Sequence, residues 1–138
     1  MFRRRLVGLA LALVAVVLVA CAGYTEQGPS ESEHRGMGSG DLTVEIGKAN
    51  GTTTKSIELA GGGHLTLEAD VTLAVGLGSY KIELLGANDQ VTLVLEANAG
   101  ETVEGHGQMV TDTIGEASYR VTATNAEKVT YVIEYTFK

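Results

Sequence analysis

From Asp41 to the C-terminus, apolar residues recur at every second position, and this period limits the fold more than any other feature of the chain. Period two belongs to a pleated strand with one buried face, whereas an amphipathic helix repeats every 3.6 residues. Leu42, Val44 and Ile46 alternate with Thr43 and Glu45, and Ile57 and Leu59 flank Glu58. Leu65, Leu67, Ala69, Val71, Leu73 and Val75 keep one parity throughout, which favours one bent strand over a hairpin at Ala69 and Asp70. Tyr80, Ile82 and Leu84 follow, then Val91, Leu93, Leu95 and Ala97, then Tyr119, Val121 and Ala123. Val129, Tyr131, Ile133, Tyr135 and Phe137 close the chain with the clearest alternation. One apolar and one polar face per strand is the mark of antiparallel sheets wetted on one side.

Turn-forming residues separate these runs: Asn50 and Gly51; Gly61, Gly62 and Gly63; Gly76 and Gly78; residues 86–89; residues 98–100; and residues 125–127. Such residues tolerate positive φ or close turns. Asn50 and Gly51 read as a hairpin turn. The pattern predicts an all-β fold, a small antiparallel β-sandwich of seven to eight strands over residues 41–138. The chain has no tryptophan and one cysteine, which excludes an antibody-type domain and any intramolecular disulfide.

The N-terminus differs in kind. Arg3, Arg4 and Arg5 precede an uncharged run, residues 6–20, built from Leu, Val, Ala and one Gly. A charged start followed by a short apolar stretch is the layout of a secretory signal peptide. A spanning helix needs about 20 apolar residues, so this run is short for one. The run ends in Leu18, Val19, Ala20 and Cys21. These four residues resemble the lipobox of bacterial lipoproteins. The resemblance covers residues 1–21 only. It implies cleavage between Ala20 and Cys21 and covalent lipid on the Cys21 sulfur. It also implies a lipid-anchored domain outside the cytoplasm, on the cell membrane or outer membrane. Ala22 in place of Asp implies that an inner-membrane retention signal is absent.

Residues 21–40 read as the lipidated cysteine and a flexible linker. Gly, Ser and Glu dominate there, with the only proline and no apolar periodicity. A coil of that length spans on the order of 24 Å. His34 falls in this segment and reads as a solvated residue. Removal of residues 1–20 leaves seven basic against seventeen acidic residues and moves the net charge from −7 to −10. So acidic a domain repels phosphate backbones, which excludes nucleic acid as a partner.

Catalytic groups are sparse. Ser56, Ser79 and Ser118 lack a nucleophile-elbow context, and the glycines before His64 lack the Lys and Ser/Thr of a phosphate loop. If residues 101–108 form a strand, Glu104, His106 and Gln108 share a face. Glu104 and His106, joined by His64 from elsewhere, are then the candidate metal ligands, although zinc sites normally need three or four. The plainer expectation is the polar face of an edge strand, with Gly105 and Gly107 marking a bulge or loop. Asn88, Asp89 and Asp112 could offer oxygen ligands to calcium, but nothing matches a calcium loop, and turn chemistry explains Asn88 and Asp89 better. Tyr80, Tyr119, Tyr131 and Tyr135 fall on the inward parity and are expected in the core, whereas a sugar-stacking platform would need them outside.

Together these features predict a lipid-anchored cell-envelope protein with a non-catalytic β-sandwich that binds or has a structural role. It needs no cofactor beyond the lipid, and its partners are the membrane and envelope proteins or glycans. A carbohydrate-binding or other ligand-binding module is the alternative, and a metal-dependent enzyme at His64, Glu104 and His106 the lesser one.

Overall fold

The computed structural model describes residues 23–59 and 63–138. The signal peptide, the cleavage point and Cys21 therefore lie outside the described residues. The described chain is all-β: β1 (Tyr24–Gln27), β2 (Ser30–Arg35), β3 (Ser39–Glu58), β4 (Thr66–Leu85), β5 (Val91–Asn98), β6 (Thr102–Val110) and β7 (Glu116–Phe137). One 3-10 turn, Ala87–Asp89, joins β4 to β5. All pairings are antiparallel, and the sheet order is β1-β3-β7-β4-β5, with β2 also on β3 and β6 also on β4.

Three strands are far longer than the sequence punctuation implied. β3 and β4 have 20 residues each and β7 has 22. Asn50 and Gly51, expected as a hairpin turn, lie inside β3. Gly76 and Gly78 lie inside β4, and residues 125–127 inside β7. These residues make bends instead of ends. Register shifts fall between Ala49 and Gly51 and between Leu77 and Ser79. Gly51, Gly78 and Asn125 take φ of 103°, 71° and 46°. Gly78 is obligatory here, because a Cβ would stand 2.1 Å from the Asn125 carbonyl oxygen. The Asn50 side chain accepts a hydrogen bond from the Asn125 amide at 3.2 Å, which ties two of the bends together.

The bends fold the sheet onto itself. Tyr119 and Tyr131 lie twelve residues apart on β7, a separation of about 40 Å along a straight strand. Their rings are nevertheless 6.0 Å apart and their hydroxyls 3.0 Å apart. Tyr80 of β4 stacks on Tyr131 at 5.8 Å. One layer therefore holds β2, β6 and the halves of β3, β4 and β7 that pair with them, with β1 along the bend of β3. The other holds β5 and the remaining halves. The expected sandwich is present as one folded sheet of seven strands. The core lies between the layers and includes Val44, Ile57, Leu67, Leu73, Ile82 and Ile133, all essentially inaccessible. All four tyrosines expected inside are there, at 0–2 % exposure.

The linker expectation is corrected by β1 and β2. Both pair with the free edge of β3, Tyr24 opposite Gly51 through Arg35 opposite Gly40, interrupted only around Gly28 and Pro29. Pro29 lies in that break, where no ladder hydrogen bond is required of its nitrogen. The segment looked featureless because every β2 side chain is exposed. Backbone hydrogen bonds to β3 hold it, and those leave no trace in hydrophobic periodicity. β1 is bound more tightly. The Tyr24 hydroxyl donates to Glu26 and lies 3.1 Å from the Tyr80 hydroxyl, and Lys55 donates to the same Glu26 oxygen.

Gly105 and Gly107 also depart from expectation. β6 runs without a bulge opposite β4. A Cβ on Gly107 would meet the Leu93 Cβ at 2.7 Å, and one on Gly105 would meet a Leu93 methyl at 2.9 Å. The glycines let β5 of one layer close over β6 of the other.

Candidate functional site

Directly paired residues on neighbouring strands point to the same face, with Cβ atoms about 4.5–5.5 Å apart. In the first layer this places an ionisable residue at one level on five successive strands. His34 of β2 pairs with Asp41 of β3, Asp41 with Glu134 of β7, Glu134 with Asp70 of β4, and Asp70 with His106 of β6. This row, His–Asp–Glu–Asp–His, crosses the outward face. One pair further along the same face are Ser39, Thr136, Glu68 and Gln108. On the other side are Ser32, Thr43, Val132, Thr72 and Glu104. The first row, together with Ser39, Thr136 and Glu68, lines an open depression of about 600 Å³ that includes both histidines and four carboxylates.

The hydrogen bonds show how the row is held. His34 Nδ1 lies 3.2 Å from Asp41 Oδ1. His106 Nδ1 lies 2.8 Å from Asp70 Oδ1 and its Nε2 lies 2.7 Å from Glu68 Oε2. An imidazole donates at both ring nitrogens only in its protonated form, so a carboxylate beside each nitrogen favours that form. Hydrogen bonds first to Asp70 and then to Glu68 raise the His106 pKa above the usual histidine range. Glu68 also accepts from Lys138 Nζ and Gln108 Nε2, each at 2.9 Å. Lys138, followed by His106, lowers the Glu68 carboxyl to about 2. The face is thus an array of carboxylates with the His106 imidazole held between two of them. It is suited to hydrogen-bonding hydroxyl or ammonium groups.

Of the expected ligand set, Glu104 and His106 do share the outward face of β6, as the spacing implied. The nitrogens of His106, however, are taken by Asp70 and Glu68 rather than by Glu104. His64 stands elsewhere, exposed at φ 61° in the loop after β3, lining a second depression with Asp89, Asp112 and Glu116. Among the described residues, no group of three or more His, Cys, Asp or Glu side chains is arranged to hold a metal ion. Asp112 acts as a turn residue, its Oδ1 accepting the amides of Ile114 and Glu116 at 3.0 and 2.9 Å.

Asp41, Glu68, Asp70 and Glu134 were not singled out from the sequence. Each lies on the outward parity of its strand, which was legible. Their meeting on one face depends on β7 inserting between β3 and β4, which was not. Among the described residues no aromatic ring is fully exposed. Tyr24 and Phe137 are partly buried and the other four are buried.

No protein-family model matches the chain, and no curated protein matches it. Solved structures do show likeness. A carbohydrate-binding module from Cellvibrio mixtus lichenase 5A, in complex with cellotriose, is 14 % identical with a TM-score of 0.36, over 81 % of this chain and 88 % of that one. The CBM22-1 xylan-binding domain of Paenibacillus barcinonensis Xyn10C is 12 % identical with a TM-score of 0.37, over 83 % and 85 %. The Podospora anserina GH26-CBM35 β-(1,4)-mannanase is 15 % identical with a TM-score of 0.45, over 84 % of this chain and 25 % of that one. At these scores neither ligand nor activity transfers to this chain.

Proposed function

We propose that this chain is a bacterial cell-envelope lipoprotein whose sandwich is a non-catalytic binding domain, anchored through lipid on Cys21. Leu18, Val19, Ala20 and Cys21 behind a charged start and apolar run support the address. The observation that carries the binding role is the row of His34, Asp41, Glu134, Asp70 and His106 across five strands. Ser, Thr and Gln side chains flank it. Carboxylates and hydroxyls held on a rigid sheet complement a ligand rich in hydroxyl or ammonium groups, and an envelope glycan has that chemistry. With no fully exposed ring among the described residues, such a glycan is gripped by hydrogen bonds rather than by stacking.

Two measurements test the reading. Intact mass of the protein made in a bacterium, beside Cys21→Ala, is expected to show a chain starting at Cys21 with acyl groups that the variant lacks. Co-sedimentation with purified cell-wall sacculi is expected to fall at least tenfold in Glu134→Gln/Asp70→Asn. Equal sedimentation of both proteins would remove the face from any binding role.

A further inference from the structure

The anchor and the fold together say where the domain sits. We infer that the sandwich has no tether and rests directly on the bilayer, bend end down, with the His–carboxylate row carried away from the membrane. This rests on the lipid reading of Cys21 given above. The expected linker is consumed by β1 and β2, and Gly23 is already tied to the fold. The Gly23 carbonyl accepts the Thr52 amide at 3.0 Å. Tyr24 then enters the pairing with β3, and its hydroxyl reaches Glu26 and Tyr80. Detaching β1 to lengthen the leash would strip Glu26 from Lys55, two side chains only 15 % and 17 % exposed. Two peptide units separate Cys21 from Gly23, at most about 7 Å. A coil of the whole linker would have reached on the order of 24 Å.

The entry point also fixes the orientation. Gly23 lies over Gly51 and Thr52, at the bend of β3. Thr52 is joined to Thr122 of β7, hydroxyl to hydroxyl at 3.3 Å, and the bends of β3 and β7 meet through Asn50 and Asn125. This end, carrying Thr25, Asn50, Thr52, Thr122 and Asn125, is the part held against the headgroups. Asp41 is ten residues back along β3 from Gly51, up to about 33 Å of strand. Both layers run away from the bend, so the row is carried outward. Strong net negative charge would drive a freely tethered domain off an anionic surface, but a leash this short leaves it little room to retreat.

The test uses the lipidated protein purified from bacterial membranes and placed in phosphatidylcholine vesicles carrying a headgroup-attached nitroxide lipid. One fluorophore is attached at Thr25→Cys or at Glu104→Cys. The Thr25 site is expected to be quenched several-fold more than the Glu104 site. A flexible Gly/Ser insertion of about 20 residues between Ala22 and Gly23 should abolish the difference. Equal quenching at both sites, or no effect of the insertion, overturns the seating. Mass of the same preparation separates the two readings. An unacylated Cys21 defeats the anchor itself, whereas an acylated protein with equal quenching defeats only the close seating.

Discussion

Replacing Lys55 with methionine tests what holds β1 in the domain. Lys55 Nζ donates to Glu26 Oε1, which also accepts from the Tyr24 hydroxyl, and it sits 5.8 Å from the centre of the Tyr24 ring. The two charged side chains are 17 % and 15 % exposed, so the pair is largely withdrawn from water. Methionine keeps most of the packing and removes the charge. Glu26 is then left with the Tyr24 hydroxyl alone. Breaking a buried pair from one side costs about 3–5 kcal/mol, and the residual exposure at this sheet edge places the expected loss near ~3 kcal/mol. For a domain of about 110 ordered residues that lowers the melting temperature by about 12 °C. Glu26→Gln/Lys55→Met should recover most of the loss, because no charge is left unpaired. Urea denaturation followed by circular dichroism reads the global change. Hydrogen exchange at the Thr52 amide, which bonds to Gly23, reads local release of β1. A Lys55→Met protein within about 0.5 kcal/mol of the parent, with Thr52 still protected, would show that the pair is solvent-screened and that β1 is held by other means.

Three further outcomes follow from the geometry. His106 should titrate above the usual histidine range, and Asp70→Asn should bring it down, as read by NMR of the ring protons. Because its folded pKa is raised, its contribution to stability is complete below the unfolded value near 6.5 and is lost as pH rises through the folded value. Glu68, lowered to about 2, works in the opposite sense: its contribution is present above the ordinary value of 4.5 and lost as pH falls toward 2, and removing Lys138 should raise its carboxyl titration. Gly78→Ala would set a Cβ 2.1 Å from a carbonyl at φ 71°, and about 2–4 kcal/mol of destabilisation is expected in thermal denaturation.

The candidate site was half legible. Glu104 and His106 were placed on one face of a strand from their spacing, and that face is outward as expected. His64 was invoked from a distance, where spacing gives no guidance, and it lies in another depression. The partners that hold His106 are cross-strand neighbours on β4, thirty-six and thirty-eight residues away in sequence. Alternation specifies which way Glu68 and Asp70 point, but not which strand lies beside them.

Alternation alone determined the all-β class and the inward tyrosines, because side-chain direction in a strand repeats every two residues whatever the strand pairs with. It did not determine where strands end. Gly51, Gly78 and Asn125 permit positive φ, and that freedom serves a hairpin and a mid-strand bend equally well. Only the tertiary structure decided for bends, since β7 lies between β3 and β4 and carries their ladders across each kink. It also decided that Glu26 and its neighbours form a strand and not a tether. A free edge on β3 satisfies their backbone groups, and a backbone hydrogen bond does not depend on the hydrophobicity of the residue that makes it.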